Sequence, residues 1–322
     1  MKDAASRARL AEVIGGDIAE IVVLTGGAVR RHWRVDAVAG GLRRRFVLRA
    51  EGVTPLGMGL DLAQEFALLQ FLHRAGLAVP APVRYCGERA VIGAAFHLTA
   101  YVAGSADPVA LVGSGPHEAL AERLGRELGR LHRIRPPLPL PFLGAPAADL
   151  AAARLDDYRA GLDAMGESRP VAEWAMRRLA RQAPKALPPV LGHGDFRTGN
   201  IMVAEGRLAA VLDWEFAGWS DPDEDLGWFC SRCWRFGADE REAGGIAPRA
   251  ALLRGYEAET GRAVDPDRLS YWEAMAALKW LVVALLQRDR FLRHGERSLD
   301  LALTGRRAAA CEYELLRLTE EH

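Results

Sequence analysis

Apolar positions in the first hundred residues fall in short strand-like runs, and beyond them they recur at helical spacing. Residues 21–24 form a β-branched run that breaks at Thr25-Gly26-Gly27. Residues 31–38 and 45–50 read as two further strands, and Gly40-Gly41 between them supplies a hairpin turn. Asp61 then caps a helix, with Gln64 three residues on. Leu62, Phe66, Leu69 and Leu72 recur along this helix, which carries Glu65 and stops at Gly76. Pro80 and Pro82 lead into a strand at 83–86, and 94–102 is another, ending at Gly104. The strand-rich pattern ends there, so a domain boundary is expected near residue 104.

The rest reads as helical. Pro116 opens a segment with Leu120, Leu124, Leu128 and Leu131 on one stripe, interrupted by Gly125 and Gly129, which permit close helix contact. Further helices are expected at 150–165, 171–182, 223–236, 249–260, 268–290 and 299–318. Only 201–203 and 207–212, paired across Glu205-Gly206, read as strands here. The proline-rich stretch 136–146 is short enough for a loop.

Composition narrows the class. A chain of 322 residues with 50% apolar content can fill a proper core. Lys plus Arg equals Asp plus Glu, 42 each, so no global field draws it toward nucleic acid or an anionic membrane. The first seventeen residues mix charges, and the most apolar window, 276–286, is short and contains Lys279. The expectation is a soluble cytoplasmic protein with no nucleic-acid or membrane partner, and the reading assigns no oligomeric state. Cys230 and Cys233 form a C-x-x-C with no second pair to complete a zinc site, and are expected to be reduced helix residues.

The chemistry concentrates in LGHGDFRTGN, residues 191–200, and in the Leu212-Asp213-Trp214-Glu215 that follows the hairpin. Phosphoryl transfer needs a carboxylate for the acceptor proton and oxygen ligands that hold magnesium against the phosphates. Asp195 supplies the first. Asn200 offers an amide oxygen and Asp213 a charged ligand for the second, and the hairpin explains their spacing.

On these residues the chain resembles the aminoglycoside phosphotransferase and choline kinase-like group, small-molecule relatives of the protein kinases. His193-Gly194-Asp195 with Asn200 look like that group's catalytic loop, Asp213-Trp214-Glu215 stands in the place of the kinases' D-F-G, and Asp221-Pro222 with Asp225-Leu226 matches the run that commonly follows. The resemblance implies an α+β, two-lobed protein-kinase-like fold, with a small β-rich lobe at 1–104 that binds nucleotide. A larger, mainly helical lobe at 105–322 would carry the catalytic loop and the substrate, with nucleotide in the cleft between them. It implies ATP and Mg2+ as cofactors and the hydroxyl of a small molecule as acceptor. Gly26 and Gly27 would lie in the turn over the phosphates, although a full G-x-G-x-x-G is lacking. Arg49 stands where most kinases have lysine, and Glu65 would be its ion-pair partner. Thr99 and Tyr101 would lie in the hinge at 98–102, whose backbone meets adenine. Arg197 would face the transferred phosphoryl group.

Other residues have quieter readings. His193 is expected to brace the loop backbone, Asp221 to cap the helix starting near Asp223, and Asp225 to brace the catalytic loop. The tryptophans at 214, 219, 228 and 234 are read as packing residues rather than a substrate wall. Two rivals stay open: a kinase-like module that holds nucleotide or another ligand without turnover, suggested by Arg49 and the incomplete glycine loop, and a metal-dependent hydrolase on His193 and Asp195, which lacks further ligand-spaced residues. Within the kinase reading, residues 105–322 hold 29 basic and 33 acidic residues. That small excess disfavours a polycationic antibiotic as acceptor. The loop looks closer to the branch of the family found with acyl-CoA metabolism, for which hydroxy acids or their thioesters are candidate acceptors.

Overall fold

The structure is a computed structural model that describes residues 4–24, 30–52, 59–296 and 298–320. In chain order its first stretch holds α1 (Ala4–Ile14), β1 (Asp17–Leu24), β2 (Arg31–Ala39), β3 (Leu42–Ala50), α2 (Leu62–Arg74), β4 (Pro82–Cys86) and β5 (Phe96–Ala100). There follow α3 (Pro108–Gly113), α4 (Glu118–His132), α5 (Leu150–Met165), α6 (Pro170–Gln182) and β6 (Val190–Gly192). A hairpin, β7 (Ile201–Ala204) and β8 (Arg207–Val211), precedes β9 (Gly218–Ser220). The chain finishes with α7 (Glu224–Cys230), α8 (Arg249–Thr260), α9 (Pro266–Leu292), α10 (Leu299–Gly305) and α11 (Ala308–Glu320). Two units result: Met1–Ser105 with Ile201–Ala217, and Ala106–Asn200 with Gly218–His322.

In the first unit an antiparallel sheet runs in the order β1-β2-β3-β5-β4. Gly40 and Gly41, at φ 58° and 78°, make the two-residue turn between β2 and β3, a conformation glycine adopts without steric cost. Strand alternation sorts the faces. Phe46, Leu48 and Ala50 pack with Val35, Ala37, Phe96 and Leu98 into a core that Leu10 of α1 and Ile18 of β1 complete. Arg49 faces the other way, in register with His32 on β2 and His97 on β5. Helix α2 starts on the expected capping box, with Asp61 Oδ1 accepting from Gln64 N–H at 2.8 Å and Gln64 Oε1 from Asp61 N–H at 3.0 Å. The hairpin β7-β8 belongs to this unit and joins it through Ser105 and Val203, whose backbone groups bond reciprocally at 2.9 Å.

The second unit is mainly helical, its core built from α5, α6, α9 and α11 around Trp272, Leu278, Leu281 and Leu315. Gly125 and Gly129 do bring helices close. A Cβ on Gly125 would lie 2.0 Å from the Leu252 carbonyl oxygen, and one on Gly255 of α8 would lie 1.9 Å from that of Glu122. Helix α9, 27 residues, is long and apolar enough to cross a membrane by length and composition, and 72% of its most apolar window is buried inside the protein.

Several expectations change. Helix α1 was not visible because only Ser6 and Leu10 of its eleven residues are buried, which leaves no stripe. Helix α3 is too short to show a period, although Asp107 caps it by accepting from Val109 and Ala110 N–H. The three-residue strands β6 and β9 pair with each other and are likewise too short to read. The helix expected at 223–236 ends at Cys230, whose carbonyl is captured by Nε and Nη2 of Arg235 at 3.1 and 2.8 Å. The helix expected at 299–318 breaks after Gly305, a poor helix former. Cys230 and Cys233 are free thiols, Cys230 closing α7 and Cys233 lying in the 3-10 turn beyond it.

Candidate functional site

Within the first unit the row His32, Arg49, His97 is covered by Glu65 of α2. Arg49 Nη1 meets Glu65 Oε1 at 2.9 Å, and its Nη2 meets Glu215 Oε2 at 3.1 Å and also Asp213. The forked guanidinium thus serves three carboxylates at once, which an ammonium's compact charge does less readily. Arg30 adds a second cation, with Nε 2.6 Å from Glu215 Oε2 and Nη2 donating to the Leu60 carbonyl at 2.6 Å. The five groups carry two positive and three negative charges. Burial, the largest influence on Glu65, pushes its pKa up, but Arg49 beside it pulls it below the usual carboxylate range. Glu215 goes the other way, raised by burial and then by the charge on Asp213. His32 falls to about 4, through burial first and the Arg49 charge second. Asp213 itself sits at φ 67°, ψ 63°, the left-handed region that costs a non-glycine residue about 1 kcal/mol or more and recurs at functional sites.

Within the second unit β6 feeds the loop 193–200. His193 is fully buried and its Nδ1 accepts from Asp195 N–H at 3.1 Å, a backbone brace as expected. Asp225 of α7 accepts from His193 N–H at 2.7 Å and Gly194 N–H at 3.0 Å, and lies 3.3 Å from His132 Nε2. Burial alone would raise Asp225, yet His132 and the His193 N–H hold it down to about 2. Asp221 accepts from Asp223 N–H in the turn before α7, and Arg268 joins the two acids at 2.8 Å each.

Inside this frame the Asp195 carboxylate is held on both oxygens. Oδ2 accepts from Asn200 Nδ2 at 2.8 Å and Arg197 Nε at 3.0 Å, while Oδ1 accepts from Trp228 Nε1 at 2.9 Å. Asn200 Nδ2 also donates to the Asp195 carbonyl at 2.9 Å, so its amide nitrogen is spent on the loop and only its oxygen can serve a metal. The Arg197 guanidinium lies 4.8 Å from the Trp234 ring centroid.

Asp195, Arg197 and Asn200 are therefore brought together in one unit, and Arg49, Glu65 and Asp213 in the other. Thr99 is buried on β5 opposite Val47, and Tyr101 N–H donates to the Arg45 carbonyl at 3.1 Å. Gly26 and Gly27 lie outside the described residues. Trp214 and Trp219 pack as expected, with their indole N–H groups on the Val211 and Gly144 carbonyls. Trp228 packs as expected too, among Trp234 and Ala276, and adds a polar role the reading did not foresee, its N–H going to Asp195. Its spacing three residues after Asp225 puts both on one helix face, a signal present in the sequence but unused. Arg30, Glu215 and Lys279 were also missed.

A Ralstonia eutropha protein provisionally described as an aminoglycoside phosphotransferase superimposes with a TM-score of 0.74 at 22% identity, covering 99% of this chain and 98% of that one. A spectinomycin phosphotransferase in complex with ADP and spectinomycin gives 0.66 at 13% identity, covering 98% of each chain. These likenesses establish the two-lobed, kinase-like α+β fold that the motifs implied. Among curated relatives, acyl-CoA dehydrogenase family member 10 of Mus musculus is 30% identical over 211 residues, 58% of this chain, and member 11 of Gallus gallus 32% identical over 185 residues, 51% of this chain. The matches span only 18% and 22% of those proteins' own lengths. The phosphotransferase enzyme family model matches residues 20–295, and the chain belongs to that family.

Proposed function

We propose that this protein transfers the γ-phosphoryl group of ATP to the hydroxyl of a small molecule, with Asp195 as the base. The observation that carries the reading is the Asp195 carboxylate, anchored by three side-chain donors and still 14% exposed. A carboxylate so oriented accepts the acceptor's proton with little rearrangement. Arg197, on the same carboxylate, is the cation that offsets charge on the transferred group. Arg49, paired with Glu65, takes the phosphate-binding place that lysine holds elsewhere in the family, and adenine would meet the hinge stretch of Thr99 and Tyr101 through groups other than the Tyr101 N–H, which is on the Arg45 carbonyl.

The donor set fits magnesium. Asp213 and the Asn200 amide oxygen are hard oxygen ligands, and the Arg30, Arg49, Glu65, Asp213 and Glu215 group carries one excess negative charge. Among the described residues no three His, Cys, Asp or Glu side chains are grouped to hold a metal by themselves. When bound, the ion would neutralise charge on the phosphates.

For the acceptor we favour a hydroxy acid or hydroxyacyl thioester. Arg197 on Asp195 and Lys279 of α9 on the Gly194 carbonyl place two cations beside the base, which suits an anionic compound better than a polycationic antibiotic, although Asp225 also touches the loop from behind. The curated relatives' names point to acyl-CoA chemistry as well. A second reading, a nucleotide-binding module without turnover, is favoured by one contact, the Arg49 guanidinium on Asp213. The discriminating experiment incubates the protein with magnesium, ATP and a panel of hydroxy acids, hydroxyacyl thioesters and spectinomycin, and reads phosphoryl gain by mass. Transfer to an anionic acceptor that Asp195→Ala abolishes is the expected result. Nucleotide binding without transfer to any compound would sustain the module instead.

A further inference from the structure

The lysine that interrupts the apolar run of α9 has no role in the motifs. It is one of three lysines in the chain, with Lys2 and Lys185, and the basic charge elsewhere is arginine. Its Nζ lies 4.3 Å from the Trp228 ring centroid and donates to the Gly194 carbonyl, next to Asp195. Trp228 in turn gives its N–H to Asp195 Oδ1 at 2.9 Å and is 3% exposed. We infer that Trp228 and Lys279 are positioning residues for Asp195, the cation acting on the base through the indole and the adjacent carbonyl. The inference rests on the phosphotransfer reading.

The helix packing is built for this contact. A Cβ on Gly227 would lie 2.6 Å from the Trp272 carbonyl carbon, so glycine there lets α7 press against α9. Lys279 follows Trp272 by two helical turns and lies on the same side of α9. Trp228 packs among Trp234, Ala276 and Trp280, a low-dielectric surround that strengthens each electrostatic contact. An ammonium on the ring face is attracted by the indole's electron density and draws it away from the nitrogen, which sharpens the N–H as a donor to a carboxylate. A residue present only for packing would not require a partly buried ammonium, whose desolvation is costly without such partners. With Oδ1 fixed by Trp228 and Oδ2 by Asn200 and Arg197, rotation of the carboxylate is blocked from both ends.

The test measures magnesium-dependent phosphate release from ATP, water being the acceptor, in the full chain. Trp228→Phe keeps the ring and deletes the donor. It should lower kcat about ten- to a hundredfold, the loss expected for one hydrogen bond to a charged group, with the KM for ATP unchanged within about twofold. Lys279→Met should lower kcat as well, Lys279→Arg should restore part of it, and the Trp228→Phe/Lys279→Met double variant should fall less than the product of the single effects. Trp280→Phe is the matched control, since the Trp280 indole N–H has no hydrogen-bond partner among the described residues. Full kcat in Trp228→Phe, or an equal loss in Trp280→Phe, overturns the positioning role. A wild-type protein that neither releases phosphate to water nor phosphorylates any compound of the acceptor panel overturns the phosphotransfer reading, and the inference with it.

Discussion

Replacing Asp225 with asparagine keeps the side chain's shape and removes its charge, which isolates what the carboxylate does for the loop. Two oxygens now receive the His193 and Gly194 N–H groups at 2.7 and 3.0 Å, with His132 Nε2 at 3.3 Å. The amide offers one oxygen and turns its NH2 toward a backbone N–H, leaving a buried donor without an acceptor. Such a loss costs about 1–3 kcal/mol. Titration gives a second route to the magnitude. Lowering the pKa from 3.8 to about 2 corresponds to about 2 kcal/mol of stability at neutral pH. Because the folded value lies below the unfolded one, this contribution is complete above pH 3.8 and is lost as pH falls through about 2. At pH 3 roughly half remains. Urea unfolding of the wild type and Asp225→Asn at pH 7 and pH 3 should show a gap of about 2 kcal/mol that shrinks by roughly half. A gap of the same size at both pH values, or none at pH 7, would refute the reasoning.

Two further perturbations follow from the packing and the ion network. Arg49→Met removes the cation shared by Glu65, Asp213 and Glu215, leaves Arg30 on Glu65 and Glu215, and should cost about 3–5 kcal/mol in chemical unfolding, with Arg49→Lys costing less; a Met variant as stable as the wild type would remove the case for a structural ion network. Gly255→Ala forces a methyl to 1.9 Å from the Glu122 carbonyl oxygen and should destabilise by about 1–3 kcal/mol or more as α4 and α8 separate, which a lowered Tm would register. An unchanged Tm would mean the two helices can part without cost.

Legibility followed the range of the interaction. The capping box at Asp61 and Gln64, the Gly40-Gly41 turn and the glycines of α4 are local or one-sided devices, so the residue types alone announce them. The contact of Asp195 with Asn200 was readable because a tight loop keeps its chemistry within a few residues, whereas Asp213 beyond the hairpin meets Arg49, a partner the spacing did not announce. Arg49 and Glu65 were found only by resemblance, yet their pairing is direct at 2.9 Å. What escaped was the partner drawn from far along the chain. Arg30 reaches Glu215 across 185 positions, and Trp228 reaches Asp195 across 33. Short elements escaped too, since three-residue β6 and β9 cannot display an alternation.

That the packed Trp228 also gives its N–H to Asp195 went unforeseen for a physical reason that bears on other chains. Tryptophan, like tyrosine, has an apolar bulk that fits a helix's buried stripe and a donor that can still reach a polar site. Hydrophobic periodicity registers the ring and is blind to the N–H. Asp225, three positions earlier, already marks the helix face that turns toward the loop, and Lys279 marks the only charge in the apolar stretch of α9 between 274 and 286. Either residue, weighed as a cost that needs an offset, would have directed attention to the indole between them. A lone ammonium in an apolar stripe is expensive enough that its partner should be sought before its neighbours are assigned to packing.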